Sequence, residues 1–124
     1  VILVSLNSAR DRGNDAAVKA NLNGTRTQAE LYYDDSGTTY VGMCTNANIV
    51  NQINGAKSAG GVASATNNTN GTAGSAGTAT CHATAGGWAV EVPLRAGGFW
   101  CVDANGSAGA QAGSTLGSND ITCG

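Results

Sequence analysis

The sequence predicts an α+β protein in which one long N-terminal α-helix packs on a small antiparallel β-sheet. Two patterns carry that expectation: a Pro-free run with helical spacing that reaches Tyr33, and a strict apolar alternation over Trp88 to Leu94 between Gly-rich turns. Four cysteines add an even set of staples of the kind used by small chains in oxidising compartments. At 124 residues the chain is long enough for one domain with one modest core. That domain, 1–124, divides into the helix (1–33), a connecting region with a short second helix (34–77), the sheet (78–103) and a C-terminal region (104–124).

The helix opens on Val1, Ile2, Leu3, Val4, Ser5 and Leu6, without an initiator Met or a basic leader. This run is far short of the roughly 20 apolar residues that cross a bilayer, and it reads as the tail end of a longer apolar helix. From there to Tyr33 a single helix would be roughly 50 Å long. Val18, Leu22, Ala29 and Tyr32 recur at helical spacing and form the stripe expected to face the globular part. A second stripe of small residues runs through Leu6, Ala9, Gly13, Ala16 or Ala17, Ala20 and Gly24, and small residues let helices approach closely. Gly13 and Gly24 each cost a helix about 1 kcal/mol relative to Ala, so this helix needs packing on both sides.

Asp34, Asp35, Ser36 and Gly37 form a stop signal, with Gly37 suited to the left-handed position after a helix. Tyr40 to Cys44 reads as a short extended piece. Ile49, Val50, Ile53 and Ala56 then recur as a second helix, with Thr45 or Asn46 as its cap. Gly60 to Gly77 is almost wholly Gly, Ala, Ser, Thr and Asn and reads as a surface loop. Trp88, Val90, Val92 and Leu94 alternate with Ala89, Glu91 and Pro93. Thr78 to Thr84 and Phe99 to Asp103 flank that strand across the short connections 85–87 and 95–98, which makes a three-stranded antiparallel meander. Pro93 removes one ladder bond near the end of the middle strand.

Three pairings of the cysteines exist. Cys81 and Cys101 lie on the outer strands, about 9.6 Å apart, which exceeds the roughly 7 Å reach of a disulfide between Cα atoms. Two pairings remain: Cys44–Cys81 with Cys101–Cys123, or Cys44–Cys101 with Cys81–Cys123.

Composition excludes several function classes. Six basic against eight acidic residues leave a net charge of −2, which does not support capture of nucleic acid or an acidic membrane. His82 is the single His and adjoins Cys81, a poor setting for a nucleophile and base pair. Asp34 and Asp35 sit in a turn sequence rather than a catalytic pair. No Cys/His spacing suits zinc and no Gly-rich loop carries the Lys of a P-loop. The chain reads as a non-enzyme without a cofactor or resident metal.

The order of elements resembles a bacterial type IV pilin. The resemblance rests on the long helix leaving an apolar run, on Ala29-Glu30-Leu31-Tyr32-Tyr33-Asp34 before a turn, and on Trp88 to Leu94 and Trp100-Cys101-Val102-Asp103 in a small sheet, with Cys123 near the end. It covers essentially the whole chain. It implies a disulfide Cys101–Cys123 closing the C-terminal region and hence Cys44–Cys81 tying the helix-to-sheet connection to the first strand. It also implies a subunit held in the inner membrane and then drawn by assembly machinery into an extracellular filament of its own copies, serving adhesion, motility or DNA uptake. Val1, Ile2, Leu3, Leu6, Ala9, Gly13, Ala17 and Ala20 are the expected helix packing positions, with Arg10, Asp11, Arg12, Asp15 and Lys19 as ion-pairing groups between subunits. The family's N-terminal Phe and assembly Glu have no counterpart, because the sequence starts in what resembles the last turns of the apolar run. Membrane insertion is expected only through residues ahead of Val1.

Two other readings lead to different tests. A major pseudopilin of a type II secretion system binds calcium in its C-terminal loop, for which Asp103, Asn105, Asn119 and Asp120 are the oxygen donors here. A secreted adhesion or carbohydrate-binding module is the other. Asn-x-Ser/Thr acceptor sites for glycans occur at Asn23, Asn67, Asn70 and Asn105. Of these, Asn105 follows the acidic Asp103 and is the candidate for modification, alongside the Ser/Thr-rich stretch Ser64 to Thr80.

Overall fold

A computed structural model of the chain describes residues 2–62, 64–67, 73–75 and 77–124, with side chains described outside 2–5 and 64–67. Helix α1 spans Ile2–Asp35, and at 1.5 Å per residue its 34 residues are about 51 Å long. The helix passes the expected end at Tyr33 by two residues. It closes with Ser36 N donating to Tyr32 O at 2.8 Å and Thr38 N to Tyr33 O at 2.9 Å, with Gly37 at φ 80°. Gly is the residue that takes that left-handed turn without a steric cost.

Helix α2 spans Ala47–Ala59. Its cap is Asn46, whose Oδ1 accepts from Asn48 N at 3.1 Å and Ile49 N at 3.5 Å. Instead of an extended piece before it, Met43–Thr45 forms one 3₁₀ turn that buries Met43 and Cys44. At the far end, Arg95 Nε donates to the Ala59 carbonyl at 2.7 Å, so a guanidinium satisfies a carbonyl that the helix leaves open.

The sheet contains β1 (Ser64–Asn67), β2 (Thr78–Ala83), β3 (Trp88–Pro93), β4 (Phe99–Asp103) and β5 (Ala108–Gln111), in that spatial order. The expected meander β2-β3-β4 is present, and β5 extends it to four antiparallel strands. β1 lies inside the stretch expected to be a loop and pairs parallel to β2. Neither added strand carries a large apolar side chain, so neither shows the period of two that marks a half-buried strand.

Register divides the sheet into two faces. Cys81, Val90 and Val102 stand opposite one another across β2, β3 and β4, as do Thr80, Glu91 and Cys101 one position away. Directly opposed residues share a face and successive residues alternate. The first face packs Trp88, Val90, Val92, Cys81 and Val102 with Val18, Leu22 and Ala29 of α1 and Ile49, Ile53 and Ala56 of α2 into the main core. Ala89 and Cys101 belong to the second face and pack with Leu116 and Cys123. Every residue of β3 is therefore buried, including Ala89 and Glu91.

Cys44 is linked to Cys81 and Cys101 to Cys123, each with Cα atoms 5.9 Å apart. These are the two pairs implied by the resemblance. The faces account for the choice: Cys81 looks toward the helices, where Cys44 is buried, and Cys101 looks toward the C-terminal segment. A Cys81–Cys101 bridge fails on orientation as well as on distance.

Candidate functional site

The helix changes environment at Asp15. Beyond that point Asp15, Val18, Leu22, Thr25 and Ala29 are buried, at spacings of three and four that keep one face toward the head. Ahead of it, residues 6–10 are exposed, and Leu6 retains 55% of its surface. Asp11 and Asn14 are half-buried, and Asp11 borders a hollow with Gly60, Leu94 and Arg95, so residues 2–10 carry the helix axis about 14 Å beyond its first contact with the head.

Of the expected packing positions, Leu6, Ala9, Gly13 and Ala20 are exposed and Ala17 is half-buried. A Cβ placed on Gly13 would meet no atom within 4 Å. Ile2 and Leu3 lie in the helix, but their side chains, and Val1 altogether, lie outside the described residues. Gly24 does not belong to this surface. It faces α2, where an added Cβ would come within 2.9 Å of Gln52 Oε1, and on the other helix Gly55 meets Asn21 Oδ1 in the same way at 2.8 Å. The two interior glycines of α1 therefore differ: Gly24 admits a side chain of α2, and Gly13 is open surface.

Two of the five charged positions expected to pair between subunits are engaged within the chain. Asp15 is buried and its carboxylate accepts from Arg95 N at 2.7 Å and Ala96 N at 3.2 Å, fixing the β3–β4 turn to the helix. Lys19 Nζ lies 5.0 Å from the centre of the Trp100 ring, a cation–π contact. Arg10 and Arg12 are exposed and Asp11 is half-buried. Sequence reading missed Asp15 and Thr25 as docking residues because both are polar, although they extend the spacing of Val18, Leu22 and Ala29.

The second face of the sheet holds the buried polar residues Thr80, His82, Glu91 and Asp103. The C-terminal segment satisfies His82, Glu91 and Asp103 with its own groups. Glu91 accepts from Ser114 Oγ at 2.6 Å, Thr115 N at 2.7 Å and Thr115 Oγ1 at 3.2 Å. His82 Nδ1 lies 2.7 Å from the Asp120 carbonyl, so that nitrogen carries the proton. Residues 73–75 also cross here: Gly74 N donates to Leu116 O at 2.7 Å, and a Cβ on Gly74 would lie 2.5 Å from Glu91 Oε1. Glycine is required for that approach.

The side chains of three of the four proposed calcium donors, Asp103, Asn119 and Asp120, are hydrogen-bonded within the chain. Asp103 accepts from Asn105 N (2.9 Å) and Ser107 N (3.1 Å) on one oxygen and from Cys123 N (2.8 Å) on the other. Asp120 Oδ2 accepts from Gly117 N at 2.8 Å, and Asn119 Nδ2 donates to Ser118 Oγ at 3.3 Å. Among the described residues no group of three or more His, Cys, Asp or Glu side chains could hold a metal ion.

Asn105 is exposed in the β4–β5 turn, while the acidic residue two positions before it, Asp103, is buried beneath that turn. Thr25 of the Asn23 site is buried in α1. Asn67 lies on β1, and the rest of its site and all of the Asn70 site lie outside the described residues. Within the stretch Ser64 to Thr80, Thr80 is buried and Ser75 Oγ bonds Thr78 Oγ1 at 2.9 Å. Among the described residues no helix is long and apolar enough to cross a membrane.

No family model, curated protein or solved structure matches the chain.

Proposed function

We propose that this chain is the head and helix of a type IV pilin subunit, a structural protein that polymerises through the N-terminal part of α1 into an extracellular filament. The observation that carries this reading is the divided helix: one continuous 34-residue element, docked in the head with its buried face starting at Asp15, and exposed at residues 6–10 ahead of that. A helix held this way presents Leu6, Ala9 and Gly13 to a neighbouring helix without disturbing the core of its own head. Burial of such a surface at roughly 25 cal/mol per Å², repeated against several neighbours, stabilises a polymer without covalent links. Arg10 and Arg12 are placed to choose register between copies. In this reading the partners are other copies and the assembly machinery of the inner membrane, where the subunit resides before export into the filament. The two disulfides suit an oxidising location.

The test compares the 124-residue chain with a version carrying about 20 apolar residues ahead of Val1, by light scattering and electron microscopy. The extended form is expected to enter membranes and form filaments, and the 124-residue form to stay monomeric. Regular filaments from the shorter form alone would move the polymer contacts to the heads and overturn the role given to the helix.

A further inference from the structure

The opposite end of α1 carries a cavity that the filament reading leaves unused. It has a volume of about 290 Å³ and lies between the last turns of α1 and the start of α2, lined by Gln28, Leu31, Tyr32, Asp35, Asn46 and Asn48. Leu31 keeps 53% of its surface exposed and, among the described residues, joins Leu6 and Val41 as a large apolar side chain open to solvent. The Tyr32 hydroxyl is anchored at 2.6 Å on the Val41 carbonyl, which fixes the ring on one wall. Asn46 Oδ1 is committed to the cap of α2, which leaves its Nδ2 group as a donor.

We infer that this cavity is a binding site for an uncharged sugar ring. The lining combines an apolar wall, Leu31 and Tyr32, with planar polar groups at Gln28, Asp35, Asn46 and Asn48. A pyranose needs both: its C–H face packs on an apolar surface, and its hydroxyls, each a donor and an acceptor, bond amides and carboxylates. Among the described residues no cation lines the cavity, and Asp35 is its one charged group. That excludes phosphate and acidic sugars as favoured ligands, since an anion would be desolvated beside a carboxylate with nothing to offset the cost. The volume lies at the lower end of the range for small-molecule sites, roughly 300–1,000 Å³, so the site takes one or two rings rather than a polymer. Gln28 lies 15 residues beyond Gly13, about 22 Å along the helix axis. The cavity and the N-terminal turns therefore occupy separate parts of the helix, and the inference does not rest on the filament reading.

The test is an NMR titration of the 124-residue chain with glucose, galactose, mannose and N-acetylglucosamine, and with sialic acid as the anionic comparator. At least one neutral sugar should shift the side-chain amides of Gln28, Asn46 and Asn48 saturably, with a Kd on the order of millimolar. The double variant Gln28→Ala/Asn48→Ala changes two partly or fully exposed side chains outside the core and should keep the amide spectrum of the fold while binding about tenfold more weakly. Asp35→Asn should retain neutral-sugar binding and raise that of sialic acid. No saturable shift with any neutral sugar, an unchanged affinity in the double variant, or a preference of the parent chain for sialic acid would each overturn the inference.

Discussion

The Asp15 carboxylate and the Arg95 backbone amide lie 2.7 Å apart across 80 positions of sequence, and this bond fixes α1 to the head at the start of its buried face. A second bond to Ala96 N shares the same carboxylate. Charge-assisted bonds to backbone amides are among the stronger hydrogen bonds, and here they tie the β3–β4 turn to the helix. Asp15→Ala should lower stability by about 2 kcal/mol, read by urea denaturation. It should also speed hydrogen exchange at the Arg95 and Ala96 amides. Unchanged exchange at those two amides would show that the turn holds itself.

Glu91 should behave as the clasp of the C-terminal segment. Its three bonds all come from donors, and an amide at that position would turn an NH₂ group toward some of them. Glu91→Gln is therefore expected to cost about 1–3 kcal/mol while preserving shape. The loss should appear first as faster exchange at Thr115 N, with the α1–α2 core still protected. Simultaneous loss of protection in both places would mean that the two layers unfold as one unit.

The two disulfides should open in sequence. Cys44 and Cys81 are both buried in the main core, whereas Cys101 is buried but Cys123 is half-buried. A thiol reductant reaches the sulfur of Cys123 first, and alkylation with peptide mapping should find Cys101 and Cys123 labelled while Cys44–Cys81 persists. Loss of either bridge is expected to cost roughly 2–4 kcal/mol. Labelling of Cys44 before Cys123 would contradict the order that burial sets.

Alkali should destabilise the fold through Tyr40. Burial, then its hydrogen bond to Glu30 at 2.9 Å, push its phenol up from 10.0 to about 12. The folded chain thus keeps a proton that the unfolded chain loses at about pH 10. Stability from this group is complete below pH 10 and is lost as pH rises from 10 to about 12. Denaturation midpoints measured across that window should fall, and Tyr40→Phe should flatten the decline. An equal slope in the variant would assign the alkaline loss elsewhere.

Periodicity made the docked half of α1, the α2 face and β3 legible. Val18, Leu22 and Ala29, then Ile49, Ile53 and Ala56, repeat on a helical period, and Trp88 to Val92 on a period of two, because each pattern is local to one element. Asn46 was legible as a cap for the same reason. The candidate assembly positions Leu6, Ala9 and Gly13 were readable as a stripe, but only docking separated them from Gly24, whose neighbour is Gln52 on another helix.

What the sequence determined by itself is therefore the set of elements that bury large side chains, and the presence of four cysteines to staple them. Tertiary structure decided the rest. Ser64–Asn67 and Ala108–Gln111 are strands because β2 and β4 present edges with backbone groups to pair, not because of their own side chains. The residues from 112 to 123 carry no periodic pattern, yet they close the second sheet face by supplying hydroxyls and amide N–H groups to Glu91 and Asp103 and a carbonyl to His82. The disulfide partners followed from strand register, which sends Cys81 to one face and Cys101 to the other. Register is a relation between chain segments, and burial of polar groups depends on donors and acceptors brought from far along the chain. Neither is encoded in the spacing of residues within one segment.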